Sequence, residues 1–186
     1  MPPHHELATL LASRSARRGD FVLSSGRRSD LYVDARLTTM SPDGLVIIGH
    51  LGLESINAMG WSADSVGGLT LGADPVSYAI AFASQLANSP IRAFTVRKEA
   101  KKHGTGQRIE GPFRSGDRVV VVEDVVTTGG SARDAAEVIR AAGGVPVGVL
   151  AVVDREEGGR EMLESLGLPV VSLVTAAQII AAMPQD

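Results

Sequence analysis

Runs of apolar residues alternate with amphipathic segments along most of this chain. Several runs are continuously apolar, such as VVVV before Glu123, which is typical of strands covered on both faces of a parallel sheet. Strands are predicted over Ser65 to Leu71, Arg92 to Arg97, Arg118 to Glu123, Pro146 to Val153 and Val170 to Val174.

Helical patterns separate these strands. In the clearest one the small and apolar side chains of Ala132, Ala135 and Ile139 share one face, and Gly143 follows as a helix-ending signal. The predicted helices between strands span Pro75 to Ala87, Ala132 to Ala142 and Gly159 to Leu166. Alternating strands and helices predict an α/β fold, with a central, mostly parallel, five-stranded sheet flanked by helices.

The first sixty residues or so follow a different pattern. Two predicted helices, His5 to Ser15 and Pro42 to Met59, flank a short extended piece from Leu31 to Ala35. We expect this part to form a small cap over the sheet. Because no long linker interrupts the chain, residues 1–186 are predicted to form one domain.

Composition narrows the functional classes. The chain has 44% hydrophobic residues, 21% charged residues and a net charge of −3, which is globular and argues against a surface committed to nucleic acid. It contains no cysteine, which suits a reducing compartment. No apolar run approaches the ~20 residues of a membrane span, and the N-terminus does not resemble a signal peptide. These features predict a cytoplasmic protein.

The stretch VVVVEDVVTTGGSARD combines two opposite charge preferences. Glu123 and Asp124 follow the apolar run, at the end of a predicted parallel strand where ligands of such sheets bind. Thr127 to Ser131 then supply hydroxyls and glycines at a helix start, which favours an anion. A sugar phosphate satisfies both, because its phosphate binds the loop while its hydroxyls donate to the carboxylates. The alternative, a Ser131–Asp134 capping pair, leaves the two carboxylates unexplained.

This loop resembles the signature of the type I phosphoribosyltransferases, which bind 5-phosphoribosyl-1-pyrophosphate. The resemblance rests on VVVVEDVVTTGGS and implies the fold of that family, with an N-terminal cap and a flexible lid loop. It assigns the segment's residues to binding of this substrate, and they are Glu123, Asp124, Val125, Val126, Thr127, Thr128, Gly129, Gly130 and Ser131.

A second segment, FTVRKEAKKHGTGQRIEG, gathers basic residues before a glycine-rich stretch. Most charge runs are solvated surfaces, and that explanation stays open here. The pattern R-K-E-A-K-x-H-G-x-G looks like the flexible catalytic loop of orotate phosphoribosyltransferases in particular. By this resemblance Arg97, Lys98, Lys101 and His103 contact the pyrophosphate. In that family the lid reaches into the neighbouring subunit, which implies a homodimer with lids acting in trans.

Two further segments fit the same family. GLTLGADPVSYAIA looks like its pyrophosphate loop and following helix, although an N-cap at Asp74 before Pro75 explains the segment equally well. SSGRRSDLYVDAR resembles the segment that covers the base. Many relatives carry a lysine where this chain has Ser24, so Arg27 or Arg28 is a candidate to replace it.

VVDREEGG places Arg155 after another predicted strand. By resemblance Arg155 contacts orotate, together with Thr127, and a planar guanidinium suits a planar acid. The alternative is a surface arginine paired with Glu156 or Glu157.

The resemblance implies an enzyme that converts orotate and phosphoribosyl pyrophosphate to orotidine 5′-monophosphate and pyrophosphate, in de novo pyrimidine synthesis. Its cofactor would be Mg²⁺, held mainly by substrate and water rather than directly by protein side chains. Lys101, His103 and Asp124 would be catalytic, through positioning and electrostatics.

Two alternatives stay open. A phosphoribosyltransferase for a purine or uracil would share the loop from Glu123 to Ser131. A non-catalytic regulator could use the same fold to sense this metabolite while binding RNA or DNA, although the first sixty residues lack both a helix-turn-helix signature and a strong charge excess.

Overall fold

A computed structural model describes residues 3–22, 28–99 and 108–184. Within these ranges six strands form one sheet, in the order β5-β4-β3-β6-β7-β8, and β1 and β2 form a separate hairpin. The strands are β1 (Ala16–Val22), β2 (Arg28–Val33), β3 (Ser65–Leu69), β4 (Arg92–Val96), β5 (Ile109–Glu110), β6 (Arg118–Val126), β7 (Val145–Asp154) and β8 (Val170–Thr175).

The helices alternate with these strands. They are α1 (Pro3–Arg14), α2 (Arg36–Thr39), α3 (Pro42–Ala58), α4 (Ala73–Leu86), α5 (Gly130–Ala141), α6 (Gly159–Ser165) and α7 (Ala176–Ala182). None of the helices in the described ranges is both long enough and apolar enough to cross a bilayer.

The α/β architecture predicted from the sequence is confirmed, with one change in the sheet. The five predicted strands are present and pair in parallel. A two-residue strand, β5, adds an antiparallel edge beside β4 and raises the sheet to six strands. It is too short to leave a periodic signal in the sequence.

The valine run of β6 explains how the sheet is covered on both faces. Val120 and Val122 belong to a core cluster that includes residues of α1, α3, α4 and α7. Val119 and Val121 point to the opposite face and pack with residues of α5 and α6. Since successive side chains in a strand alternate between faces, a strand is apolar at successive positions where helices cover both of its faces.

The N-terminal part differs from its prediction. The extended piece predicted at Leu31 to Ala35 is the second strand of an antiparallel hairpin. The first strand, ARRGDFV, is mostly polar and therefore carries no pattern of alternating burial.

Helix α7 was also not predicted, although Thr175 and Gln178 form a capping box at its start.

Candidate functional site

A cleft of about 480 Å³ lies at the carboxyl ends of the central strands. Its walls come from the end of β2 and the segment after it, the end of β3 and the loop after it, a residue after β4, the end of β6 with the loop and helix start after it, and the residue after β7. The lining residues are Tyr32, Val33, Asp34, Ala35, Arg36, Leu69, Thr70, Leu71, Gly72, Lys98, Glu123, Asp124, Val125, Thr127, Thr128, Ser131 and Arg155. This is the edge at which ligands bind in open parallel sheets.

Two carboxylates lie side by side in this cleft. Glu123 is 7% exposed, and its Oε2 atom is buried without a hydrogen-bond partner among the described residues. Asp124 is half-buried and accepts a hydrogen bond from the Val125 N–H at 2.9 Å. Both residues lie within β6, which runs three residues beyond the predicted strand end, to Val126.

The electrostatic environment of Glu123 disfavours its charge. Burial raises the pKa of the Glu123 carboxyl well above its ordinary value of 4.5, and the charge of Asp124 raises it further. Lys98 opposes this rise from across the cleft. A buried carboxyl oxygen without a partner, facing a cleft, is suited to accept a hydrogen bond from a ligand hydroxyl.

The loop of residues 127–131, called the anion loop below for its predicted role, ends in a helix start without a side-chain cap. The N-cap residue of α5 is Gly129, in the left-handed conformation with φ 78°, and no side chain caps this end. The capping pair considered for Ser131 and Asp134 is therefore wrong, and Asp134 instead pairs with Arg133 at 2.8 Å. The first-turn N–H groups of a helix have no partner within the helix, so this uncapped end is suited to bind an anion.

The two glycines of this loop have different surroundings. A side chain at Gly129 would collide with α6, because its Cβ would lie 2.7 Å from the Met162 methyl and 2.9 Å from the Gly159 carbonyl oxygen. At Gly130 the nearest atom is 3.9 Å away, the hydroxyl of Thr128. Gly129 therefore serves helix packing and backbone conformation, whereas the space above Gly130 is open to a ligand.

The loop after β3 closes the opposite side of the cleft. Thr70 donates to Asp74 at 2.7 Å, and Thr95 donates to the other oxygen of Asp74 at 2.8 Å. The peptide bond between Thr70 and Leu71 is cis. The N-cap of α4 is Gly72, so Asp74 lies in the first turn, and the predicted N-cap at Asp74 is wrong.

Gly72 touches the catalytic candidate Asp124 directly. A Cβ atom at this position would lie 2.4 Å from Oδ1 of Asp124. Gly72 has ordinary helical angles, φ −62° and ψ −41°. The close approach to the carboxylate, rather than backbone conformation, thus requires glycine here.

The basic residues before the lid divide between two environments. Lys98 is exposed and lines the cleft. Arg97 lies outside it, beside Glu110 at 3.8 Å, and its backbone bonds to Arg108. Lys101 and His103, the predicted catalytic residues of the lid, lie outside the described residues.

Comparison with known proteins gives relatives along nearly the whole chain. An orotate phosphoribosyltransferase of Aquifex aeolicus is 46% identical over 183 residues, which cover 97% of this chain and 99% of the relative. One from Rhodopseudomonas palustris strain BisB18 is also 46% identical, over 94% of each chain. The chain belongs to the orotate phosphoribosyltransferase family.

Solved structures of the family agree. A crystal structure of Mycobacterium tuberculosis orotate phosphoribosyltransferase in complex with 5-phospho-alpha-D-ribosyl 1-diphosphate has a TM-score of 0.80 and 41% identity, covering 96% of this chain and 99% of that chain. An adenine phosphoribosyltransferase of Leishmania donovani, with a TM-score of 0.66 and 20% identity, shares the fold alone. No family model matches the chain.

Arg155, the base-side candidate in this member of the orotate phosphoribosyltransferase family, lies in the cleft wall. It is 7% exposed, and its Nη2 atom donates to Glu157 at 2.8 Å and to the Leu31 carbonyl at 3.0 Å. The pairing of Arg155 with Glu157 that was considered from the sequence is confirmed. The surface position considered with it is wrong, because Arg155 is buried. Glu156 instead accepts from the Ala177 N–H at 3.0 Å, at the start of α7.

Several other predicted residues do not reach the cleft lining. Val126 is 1% exposed within the core, and Gly129 packs on α6. Arg28, considered as a replacement for a lysine, pairs with Asp20 at 3.2 Å on the surface. Ser24 and Arg27 lie outside the described residues.

The structure also adds residues that the sequence did not single out. Arg36 lines the cleft, and its guanidinium is held by both carboxyl oxygens of Asp34, at 2.8 and 3.0 Å. The Asp34 side chain raises the pKa of the Arg36 guanidinium, and the charge of Asp124 raises it further. Arg36 thus adds positive charge near Asp124, from a segment distant in sequence.

Proposed function

We propose that this protein transfers the 5-phosphoribosyl group of 5-phosphoribosyl-1-pyrophosphate to orotate, giving orotidine 5′-monophosphate and pyrophosphate. The reaction is a step of de novo pyrimidine synthesis, and we place it in the cytoplasm. One observation supports it above the others: two adjacent carboxylates, the buried Glu123 and the half-buried Asp124, border the same cleft as an uncapped helix start. Family membership supports the same reaction.

The sugar phosphate lies along the end of β6 in this proposal. Its 5′-phosphate accepts hydrogen bonds from N–H and hydroxyl groups of residues 127–131, at the positive end of α5. Its ribose hydroxyls donate to Glu123 and Asp124, which provides the missing partner of the Glu123 Oε2 atom. The negative charge of Asp124 then stabilises positive charge that develops at the anomeric carbon.

Orotate lies on the β7 side of the cleft. Arg155 presents a buried guanidinium there, and a planar group with several N–H donors matches the acidic base. Thr127 and Tyr32 line the same cleft. In this proposal the hydroxyl of Thr127 bonds the base, and the Tyr32 ring covers its face.

The pyrophosphate lies toward the loop after β3. Lys98 and Arg36 supply positive charge from the described part of the cleft. By family resemblance Lys101 and His103 add charge from the lid as the bond to pyrophosphate breaks, and Arg97 stands where the lid begins. The lid also excludes water from the reacting sugar. No covalent nucleophile is needed, so positioning and charge carry the reaction.

Magnesium is the proposed cofactor, and the residues fit it. Mg²⁺ prefers phosphate and water oxygens, so substrate and water would hold most of it, and the carboxylates of Glu123 and Asp124 border the same cleft. Across the described residues, no group of three or more His, Cys, Asp or Glu side chains could hold a metal ion. Bound with the substrate, the ion would neutralise pyrophosphate charge.

We also propose a homodimer in which each lid acts on the partner's site. Helix α4 exposes large apolar side chains at a spacing of four residues: Tyr78 is 53%, Phe82 67% and Leu86 63% exposed. Such a stripe is typical of a helix face covered by a partner. Tyr78 borders a cavity together with Arg97, Lys98 and Glu99, where the lid begins. A second copy on this face would therefore lie close to both lids.

The direct test offers the protein alternative bases. Purified protein is mixed with phosphoribosyl pyrophosphate and Mg²⁺, and orotate, uracil, adenine and hypoxanthine are supplied separately. We expect base consumption with orotate alone, lost when Mg²⁺ is chelated. Turnover of another base instead would overturn the base assignment, and tight substrate binding without turnover of any base would favour the regulator.

A further inference from the structure

One terminal nitrogen of Arg155 is held from two sides. Its Nη2 atom donates to the Glu157 carboxylate at 2.8 Å and to the backbone carbonyl of Leu31 at 3.0 Å. The side chains are 5% exposed for Arg155 and 15% exposed for Glu157. The contact is therefore a shielded, charge-assisted hydrogen bond rather than a loose surface pair.

The two acceptors belong to different parts of the fold. Leu31 lies in β2 of the N-terminal hairpin. Glu157 lies in the turn between β7 and α6, two residues beyond Arg155. A flexible arginine side chain whose terminal nitrogen has acceptors on two separate elements is restricted in rotation about its last bonds. The direction in which its guanidinium faces the cleft is thereby set by Glu157 and the hairpin together.

We propose that Glu157 is a positioning residue for the base, which acts through Arg155 by holding its guanidinium plane in the orientation that receives the acidic substrate. The inference rests on the proposed function, since it takes a planar carboxylic acid as the ligand of Arg155. Glu157 does not touch the substrate in this arrangement. Its contribution depends on the reach of its side chain more than on its charge, because an uncharged acceptor of equal length can hold the same N–H group.

Substitutions can separate reach from charge. Glu157→Gln keeps the length and an acceptor oxygen but loses the charge, whereas Glu157→Asp keeps the charge and loses the reach. Glu157→Ala loses both. Glu161→Ala is the matched control, since Glu161 is an exposed carboxylate in the first turn of the nearby helix α6.

The measurement is steady-state kinetics with each substrate varied in turn. We expect Glu157→Ala and Glu157→Asp to raise KM for orotate about tenfold, with KM for phosphoribosyl pyrophosphate unchanged, because one charge-assisted hydrogen bond that orders Arg155 is lost. Glu157→Gln should stay within about threefold of the wild type, and Glu161→Ala should match it. If Glu157→Ala does not fold, Glu157→Asp carries the test, since it keeps a counter-charge.

Three results would overturn the inference. The first is an unchanged orotate KM in Glu157→Asp. The second is a lowered orotate KM in Glu157→Gln, which would make Glu157 an anion that competes with orotate for Arg155. The third is an equal rise in KM for both substrates, which would make the role of Glu157 structural. Failure of the proposed function itself is recognised separately, because the wild type would then not consume orotate at all.

Discussion

The buried position of Glu123 in the cleft lowers the stability of the folded protein at neutral pH. Burial first, and then the charge of Asp124, raise the pKa of its carboxyl in the folded protein. The folded state therefore holds the proton more tightly than the unfolded state does. The stability that the protonated Glu123 carboxyl contributes is fully present below the pKa of the unfolded state. It is lost as the pH rises through the pKa of the folded state. The proposed role of Glu123 in binding the ribose gives a reason for a carboxyl at this unfavourable position.

This predicts a pH-dependent effect of Glu123→Gln. The variant should be more stable than the wild type at neutral pH, and the two should converge as pH falls toward about 4.5, because the amide cannot ionise. Urea unfolding, followed by fluorescence of the single, buried tryptophan, Trp61, measures this at several pH values. Parallel stability profiles for the two proteins would contradict the raised pKa.

Gly72 is a second residue at which the site dictates the residue type. Its helical backbone angles would accept alanine, but the added Cβ would lie 2.4 Å from Oδ1 of Asp124. Gly72→Ala should therefore move the carboxylate and lower kcat/KM about tenfold or more, with little loss of stability. Kinetics together with a thermal melt measure this. Activity within twofold of the wild type would show that Asp124 tolerates displacement.

The residues of the site were predictable to different degrees. Glu123, Asp124 and Thr127 lie in one continuous motif, so strand, carboxylates and anion loop could be inferred together. Arg36 and Gly72 reach the cleft from other segments. Family resemblance assigned those segments to the site, but local patterns do not tell which of their residues meet Asp124. The pairing of Arg155 with Glu157 was considered from the sequence, but its burial depends on the hairpin packed above it.

At the scale of the elements, one buried carboxylate joins three segments at the amino-terminal end of the sheet. Asp117 is 6% exposed and accepts hydrogen bonds from Ser65 of β3, Arg92 of β4 and the Arg114 N–H. Burial alone would raise the pKa of Asp117, but these hydrogen bonds outweigh it and the pKa is lowered. The strand ends opposite the cleft are therefore fixed by a polar junction.

Removal of this junction should lower the stability of the folded protein without changing the catalytic residues of the cleft. Asp117→Ala leaves the partly buried Arg92 without its carboxylate partner, with only the Pro112 carbonyl still accepting from it. We expect the free energy of unfolding to fall by about 2–4 kcal/mol. Asp134→Ala, which breaks an exposed pair of similar length with Arg133, should cost less than about 1 kcal/mol. Urea unfolding compares the two. Equal costs would contradict a structural role for Asp117.

The elements themselves were predictable where burial leaves a period in the sequence. Strands β3, β4, β6, β7 and β8 are enclosed on both faces, and the amphipathic helices carry the complementary pattern. The first strand of the hairpin and β5 lack such a pattern, because one is polar and the other has two residues. Helix α7 had a usable signal in Thr175 and Gln178, although it is only seven residues long.

At the scale of the whole molecule, the proposed sharing of sites between two subunits predicts complementation. Lys101→Ala removes the charge that we propose for the lid, and Asp124→Asn removes the carboxylate within the cleft. If lids act in trans, each mixed dimer regains one intact site, so an equal mixture should recover about a quarter of wild-type activity. The mixture is refolded together and assayed. If mixed dimers form and no activity is recovered, each lid serves the site of its own subunit.

A substitution on the exposed apolar face of α4 tests the proposed homodimer without changing the cleft. Phe82→Arg places a charge in the exposed stripe and should shift the protein from dimer to monomer in sedimentation experiments. Thr9→Arg, on the exposed surface of α1, is the control. A Phe82→Arg protein that stays dimeric would place the interface elsewhere.

The most direct test of the whole account is the rate of orotate consumption by the wild type and by Asp124→Asn, with phosphoribosyl pyrophosphate and Mg²⁺ present. The account predicts turnover by the wild type and a loss of at least about 100-fold in the variant, with folding intact. No consumption of orotate by the wild type, or an equal rate in both proteins, would contradict it.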